Sequence, residues 1–528
     1  MIKTKFLYGA AVQGIQSFIF QTNKLSEIAG ASELVEQICT SLFAKVIGSN
    51  VNDLAKDTNA IVTAAGNIKY VFEYEEQCKK LVLKFPKTVM EFAPGIALSQ
   101  AVVAVEGEIE KEHIDELERR LWVQRNKPLR SFDVGLMAMN RSRKTGLPAM
   151  KNAGNQYFDL GTIKKESAIK DENPKENEPE KYSRLLKALF GKTLFGETTL
   201  DSAKITKTKG ENYNWLAVVH TDGNNLGMAL QKLVDNTKNT HGQSYINLFR
   251  EFSLAIDLST KNAANHAYLE TVKNFILKPY DIIPFRPIVI GGDDLTVVCR
   301  GDIALQFTKL FLQYFKDETK ANFKSMAERV EFLENGFTAC AGIAYIKESY
   351  PFHYGYYLAE ILCGEAKNSA KYGLSPEELT PSCLMFHKVQ DSFVEEFKEI
   401  RERELCAGKG DNIIRFDFGP YYLESAQKKT TVEYLEKCVS QLEGKEGNAI
   451  KSHLRQWLTD LHNEPELAEQ KKLRVISMNE NKLKSMGLDR TEYWTESRKI
   501  IEKGDKKIYQ FTPVYDWLTI HSINQGGK

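Results

Sequence analysis

The chain has 528 residues, of which 42% are hydrophobic, and carries 71 Lys and Arg against 70 Asp and Glu. That length is too great for one core and points to three or four domains, while the apolar share excludes a mostly disordered chain. A net charge of +1 excludes a global basic field and leaves a local groove as the electrostatic route to nucleic acid.

Residues 1–125 read as a first α+β unit. An apolar strand, 6–12, ends in Gln13-Gly14-Ile15-Gln16; the two glutamines interrupt it too early for a signal peptide. No apolar stretch of 18 residues follows anywhere, so the chain reads as cytoplasmic and without a membrane span. A helix (32–38), a hairpin (60–72), a second helix (76–92) and a strand (95–105) complete a β-α-β-β-α-β order, the ferredoxin-like plan. The eight cysteines contain no C-x-x-C pair, which indicates neither a zinc site nor a disulfide framework.

Residues 126–205 read as a linker. Its basic, turn-rich stretch 141–148 is expected to be a solvated loop, and the charged stretch 164–181 to be mobile. Residues 206–378 read as a second α+β unit. Its elements are a strand ending at Asp222, a helical region (228–277), a hairpin (287–299), a helix (302–323), a buried strand (337–346) and an amphipathic helix (356–367). Residues 379–528 read as a mostly helical domain, interrupted by a short strand at 414–422 and without a catalytic constellation, its aromatic stretch 511–517 belonging to the core.

The chemistry gathers in the second unit. A β-branched run leads into Gly291-Gly292-Asp293-Asp294 and another leads out, a hairpin with an acidic turn. Adjacent carboxylates repel unless a cation neutralises them, and the glycines clear the backbone for a close ligand. Asp222 ends an upstream strand and is followed by Gly223, Asn224 and Asn225. If that strand lies beside the hairpin, Asp222, Asp293 and Asp294 form a trio able to hold two Mg²⁺ or Mn²⁺ ions about 3.5–4 Å apart, with a nucleoside triphosphate as ligand. Lys367 and Lys371 are spaced to reach triphosphate oxygens or to complement the helix dipole. The first unit echoes this pattern without its acids: Gln13 aligns with Asp222, Gly66 with Gly292, Asn67 with Asp293 and Ile68 with Asp294.

Over most of residues 1–430 the chain resembles the large polymerase/cyclase subunit of type III CRISPR effector complexes. The resemblance rests on residues 14–20 and 141–149, Asp222 to Gly227, the Gly-Gly-Asp-Asp turn, the helix 359–367 and Phe418-Gly419-Pro420-Tyr421. More distantly the chain is similar to diguanylate cyclases, whose helix carries an Ala-Lys like Ala366-Lys367. The resemblance implies two palm domains, the second catalytic, that convert ATP to a cyclic or linear oligoadenylate. It implies that Asp222, the Gly223 carbonyl, Asp293 and Asp294 hold two metals, that Lys367 holds the triphosphate, and that Gly66 and Asn67 lie near an acceptor nucleotide. RNA, effector subunits or a second copy are the implied partners.

The chain also departs from that family. It has no His-Asp dipeptide and no cysteine between 131 and 149, and Asn224 stands where many relatives carry an acid. DNA cleavage is therefore not expected. The alternative reading is a catalytically silent scaffold that binds RNA or partner subunits; a templated polymerase would need a stronger basic groove.

Overall fold

The computed structural model describes residues 4–127, 138–154, 156–169, 184–191, 197–208, 211–212, 214–236, 243–273, 281–328, 333–375, 378–390, 396–408, 413–425, 430–502 and 505–526. The first unit comprises β1 (Thr4–Gln13), α1 (Ile15–Ile19), α2 (Leu25–Gln37), β2 (Ala60–Ala64), β3 (Asn67–Phe72), α3 (Glu75–Phe92) and β4 (Ala97–Glu106). Its sheet is ordered β2-β3-β1-β4 with every neighbour antiparallel, the order expected of the ferredoxin-like plan. Alternate residues of β1 serve two cores. Tyr8, Ala10 and Val12 face the main one with Phe43 and Phe85, and Leu7 joins Val103 and Leu117 beneath α4 (Lys111–Arg125).

The linker is more ordered than its composition suggests. Arg141 bridges to Pro148, Ser142 is buried, and Lys144 pairs with the buried Glu27 of α2, so the expected solvated loop is a docked turn. α5 (Leu160–Ala168) packs on α2. Its Lys165 is 3% exposed, donates to the Phe18 carbonyl at 2.7 Å and lies 4.1 Å from the Phe18 ring centre. A lysine stem can bury in this way when its ammonium finds an acceptor and a π face. The start of the stretch expected to be mobile is therefore a packed helix; residues 170–181 lie outside the described residues.

The second unit comprises β5 (Leu216–Gly223), α6 (Leu226–Asn236), α7 (Gln243–Lys273), β6 (Phe285–Gly291), β7 (Asp294–Arg300), α8 (Gly301–Asn322), β8 (Ala339–Ile346), α9 (Phe352–Lys371) and β9 (Cys383–Lys388). After the short strands β10 (Cys406–Ala407) and β11 (Ile414–Arg415) comes β12 (Tyr421–Tyr422). The sheet runs β6-β7-β5-β8-β9-β12: four strands in the order of the first unit, then β9 parallel to β8 and β12 antiparallel to β9. The boundary expected at 378 is thus crossed by the sheet itself.

The helices after β9 are α10 (Phe397–Glu404), α11 (Val432–Gln441), α12 (Gly444–Asn463), α13 (Pro465–Met486) and α14 (Val514–Asn524). Two further strands, β13 (Glu496–Glu502) and β14 (Asp505–Phe511), build a sheet ordered β10-β11-β14-β13; the expected short strand at 414–422 contains β11 and β12, and the rest of this sheet was not expected. Phe511, Val514 and Trp517 are buried as expected. No helix among the described residues is long and apolar enough to cross a membrane.

Candidate active site

Three elements converge on the acidic turn. Along one face of β5, Val218, His220 and Asp222 recur every second residue and meet α9 in turn. A Cβ on Gly355 would come 3.4 Å from Val218, His220 packs edge-on to Tyr356 at 5.5 Å, and Lys367 pairs with Asp222. On the hairpin side, Leu295 lies opposite Thr221, which sets Asp294 beside Asp222. The turn closes at Gly291 opposite Asp294, with Gly292 at φ 62°. It is pinned from α7 by Thr260, whose Oγ1 donates to the Gly292 carbonyl at 2.6 Å, and by Asp257, which accepts from the Gly292 N–H at 3.4 Å.

Asp222, Asp293 and Asp294 each present a carboxylate oxygen within 4.8 Å of the others. Burial and the Asp222 charge raise Asp293, and burial together with Asp293 and Asp222 pushes Asp294 up to about 7. Such a site resists holding three negative charges unless positive charge enters. Lys367 supplies one: its ammonium donates to Asp222 and, at 2.7 Å, to the Gly223 carbonyl. A lysine bound to one carboxylate and one carbonyl occupies the kind of oxygen ligands a hard divalent ion takes, so the donor set fits Mg²⁺ or Mn²⁺. His220, held down at about 4 by burial, stays neutral beneath the acids, its Nδ1 3.0 Å from the Thr296 hydroxyl.

Strand pairing corrects the alignment of the two units. Asn67 closes its hairpin opposite Ala64 as Asp294 does opposite Gly291, and Ala11 pairs with Asn67 where Asp222 stands beside Asp294. The left-handed residue before each following helix is Gly14 in one unit and Asn225 in the other. Ala11 therefore corresponds to Asp222, Val12 to Gly223, Ala65 to Gly292, Gly66 to Asp293 and Asn67 to Asp294. The expected match was two residues out in the strand and one in the hairpin.

In this register the two units exchange bulk. A Cβ on Gly223 would come 2.9 Å from Asp293 Cβ, whereas a Cβ on Gly66 would come 3.4 Å from Val12 Cβ. Gly223 makes room for a turn carboxylate, and the first unit fills that room with Val12.

Other expected residues are placed differently. The Asn224 side chain is fully buried and donates to Thr338 Oγ1 at 3.0 Å, so it anchors the strand end and does not face the acids. Asn225 donates to Thr380 Oγ1 at 3.2 Å. Gly66 faces α1, where a Cβ would come 2.4 Å from Ile15 Cδ1, and Asn67 donates to the Ala65 carbonyl at 3.1 Å within its own turn. It is Ala65 that faces the acidic turn, 3.9 Å from where a Gly292 Cβ would stand. The two hairpins therefore meet tip to tip.

Sequence reasoning missed the other contacts between the units. Gln16 Nε2 donates to Tyr356 OH at 2.8 Å and to Glu360 Oε1 at 2.9 Å, and Phe20 stacks on Tyr356 at 3.9 Å. The spacing of Tyr356, Glu360 and Lys367 along one helical face is the signal that could have found them.

Residues 215–374 match the family described as Cas10/Cmr2, second palm domain. The segment is similar to a Cas10/Cmr2 second palm. Sequence comparison with curated proteins gives no match. Solved structures share the fold across both units and the C-terminal domain. A Csm1–Csm4 cassette in complex with cA3 matches at 14% identity and TM-score 0.54, over 99% of this chain and 70% of that one. The same cassette with pppApA matches at 13% identity and TM-score 0.52, over 99% and 69%.

Proposed function

We propose that the chain is a metal-dependent nucleotidyltransferase that joins ATP into a cyclic or linear oligoadenylate in type III CRISPR defence. The carrying observation is the convergence of Asp222, Asp293 and Asp294 within 4.8 Å, on the palm that matches Cas10/Cmr2. Nucleotide complexes of the similar cassette, with AMPPNP and with one ATP, support the substrate class, and their Csm4 component supports an effector subunit as partner.

The Asp222, Asp293 and Asp294 carboxylates and the Gly223 carbonyl would hold the ions. Bound there, two divalent ions activate a ribose hydroxyl and neutralise charge developing on the α-phosphate and pyrophosphate. Lys367 is held 2.7 Å from the Gly223 carbonyl and is free to follow phosphate charge when a cation takes over Asp222. Ala65 of the first palm faces the acidic turn, and an acceptor nucleotide would lie on that side, against a hairpin without acids to compete for the ions.

Incubation with each nucleoside triphosphate and Mg²⁺ or Mn²⁺ tests the reading. Pyrophosphate release with ATP, abolished by Asp293→Ala with Asp294→Ala, is the expected result, and mass spectrometry of the product fixes its linkage and ring size. Release that survives the double substitution, or no release with any nucleotide, leaves the scaffold reading.

A further inference from the structure

A separate groove lies at the other end of the second palm's sheet. Cys383 of β9 pairs with Cys340, which faces Asp222, whereas Lys388 pairs with Tyr345, which faces Ala217. Those five residues of strand separate the groove from the acids by about 16 Å along the sheet. There β9, α12 and α14 bound a cavity of about 430 Å³, a size that takes small ligands.

Positive charge collects on one side of it. Lys388 donates to Ser522 Oγ at 2.8 Å and lies 4.6 Å from the Trp215 ring centre, with Lys347 3.8 Å from the same ring. Arg455 stands on the wall, and neither Lys388 nor Arg455 pairs with a carboxylate among the described residues. Burial and the neighbouring Lys347 and Arg455 charges hold Lys388 down at about 8. This is the mark of cations crowded without a counter-charge.

The exposed His462 and the half-buried Tyr515 also line the groove, over the buried Phe416. Phe416 stacks on Tyr515 at 5.9 Å and meets His462 edge-on at 5.2 Å. The one acid on the wall, Glu404, stands at this end, paired with Arg403 at 2.5 Å.

Cations without a carboxylate partner among the described residues, beside accessible rings, suit a base and a phosphate held together: His462 and Tyr515 take the base, and the lysine and arginine take the phosphate oxygens. Glu404, at the ring end, is placed to accept from an exocyclic amine. We propose that this groove binds a nucleoside phosphate unit, either a free nucleotide or one residue of single-stranded RNA. The assignment does not depend on the reaction at the acids.

The test uses the full chain carrying Asp293→Ala and Asp294→Ala, in EDTA, so that the metal site cannot hold the probe. AMP is titrated by calorimetry and a short fluorescent single-stranded RNA by anisotropy. Binding of one or both is expected, weakened about tenfold or more by Arg455→Glu, the loss of one charge-assisted contact, at an unchanged melting temperature. Lys388→Gln gives a second, charge-neutralising variant. Binding of AMP assigns the groove to free nucleotides, and binding of RNA alone assigns it to a strand. No binding of either probe, or binding that both substitutions leave unchanged, overturns the proposal.

Discussion

Gly223 and Asp293 act as a pair, because the space one gives up is the space the other uses. Gly223→Ala puts a Cβ 2.9 Å from Asp293 Cβ, and the turn carboxylate must move. Displacement of a reacting group by about 1 Å costs as much as 10²-fold in rate. Pyrophosphate release is therefore expected to fall at least about tenfold with little change in melting temperature; wild-type turnover would show that the turn tolerates the methyl group. Asp294 gives a pH prediction. It binds its proton more tightly folded, at about 7, than at its ordinary 3.8. The protonated acid therefore favours the folded chain, and that contribution is lost as pH rises from about 4 through about 7. In EDTA the chain is expected to melt higher near about pH 5.5 than near about pH 8 on this account, with the difference reduced by Asp294→Asn and by added Mg²⁺. A pH dependence identical in the variant contradicts it. Lys367→Met removes the ammonium that now competes for Asp222 and the Gly223 carbonyl. Mn²⁺ binding without nucleotide should tighten while the KM for ATP rises, readable by paramagnetic resonance and by initial rates.

At the scale of elements, the site depends on how closely α9 approaches β8. A Cβ on Gly342 would come 1.9 Å from the Ala359 carbonyl and 2.6 Å from the Cys363 N–H nitrogen. Any side chain there must push the helix that carries Tyr356, Glu360 and Lys367 off the sheet. Gly342→Ala is expected to destabilise the chain by about 1–3 kcal/mol, the usual cost of overpacking, and to reduce activity by moving Lys367; urea denaturation and rate measurements read both. The acidic hairpin was legible because its β-branched runs and polar turn give a strong local signal. The register of β1 was not: Gly9, Ala10 and Ala11 carry no alternation to say which residue faces which way, and a slip of one residue in a hairpin turns every side chain to the opposite face. Asn224 was misread for a related reason. Next to an acid and a glycine it looked like part of the site, but its position on the strand points it at Thr338.

For the whole molecule, the order of elements in both palms was legible, because each unit shows the same succession of strands and helices. The limits of the second palm were not. β9 comes after a helix and reads like a new start, β12 is two residues long, and β13 and β14 are rich in Glu, Lys and Arg, so nothing in their pattern ties them to the palm. Yet the palm's core depends on β9. β9 pairs along β8 from Cys340 to Tyr345, and a fully buried β8 would become an exposed apolar edge without it. The end of the chain is tied in as firmly. Tyr421 OH and the Phe418 N–H both donate to Asp516 of α14, at 2.8 and 3.2 Å, and Ile523 lies 3.0 Å from where a Gly301 Cβ would stand at the start of α8. A fragment of residues 206–378 is therefore expected to aggregate, and one of residues 206–425 to lack a cooperative melt because α14 is missing. A fragment of residues 206–528 should fold. Circular dichroism and light scattering on the three fragments check this, and a monomeric 206–378 fragment that melts cooperatively would show that the second palm closes its core without the strands and helix that follow it.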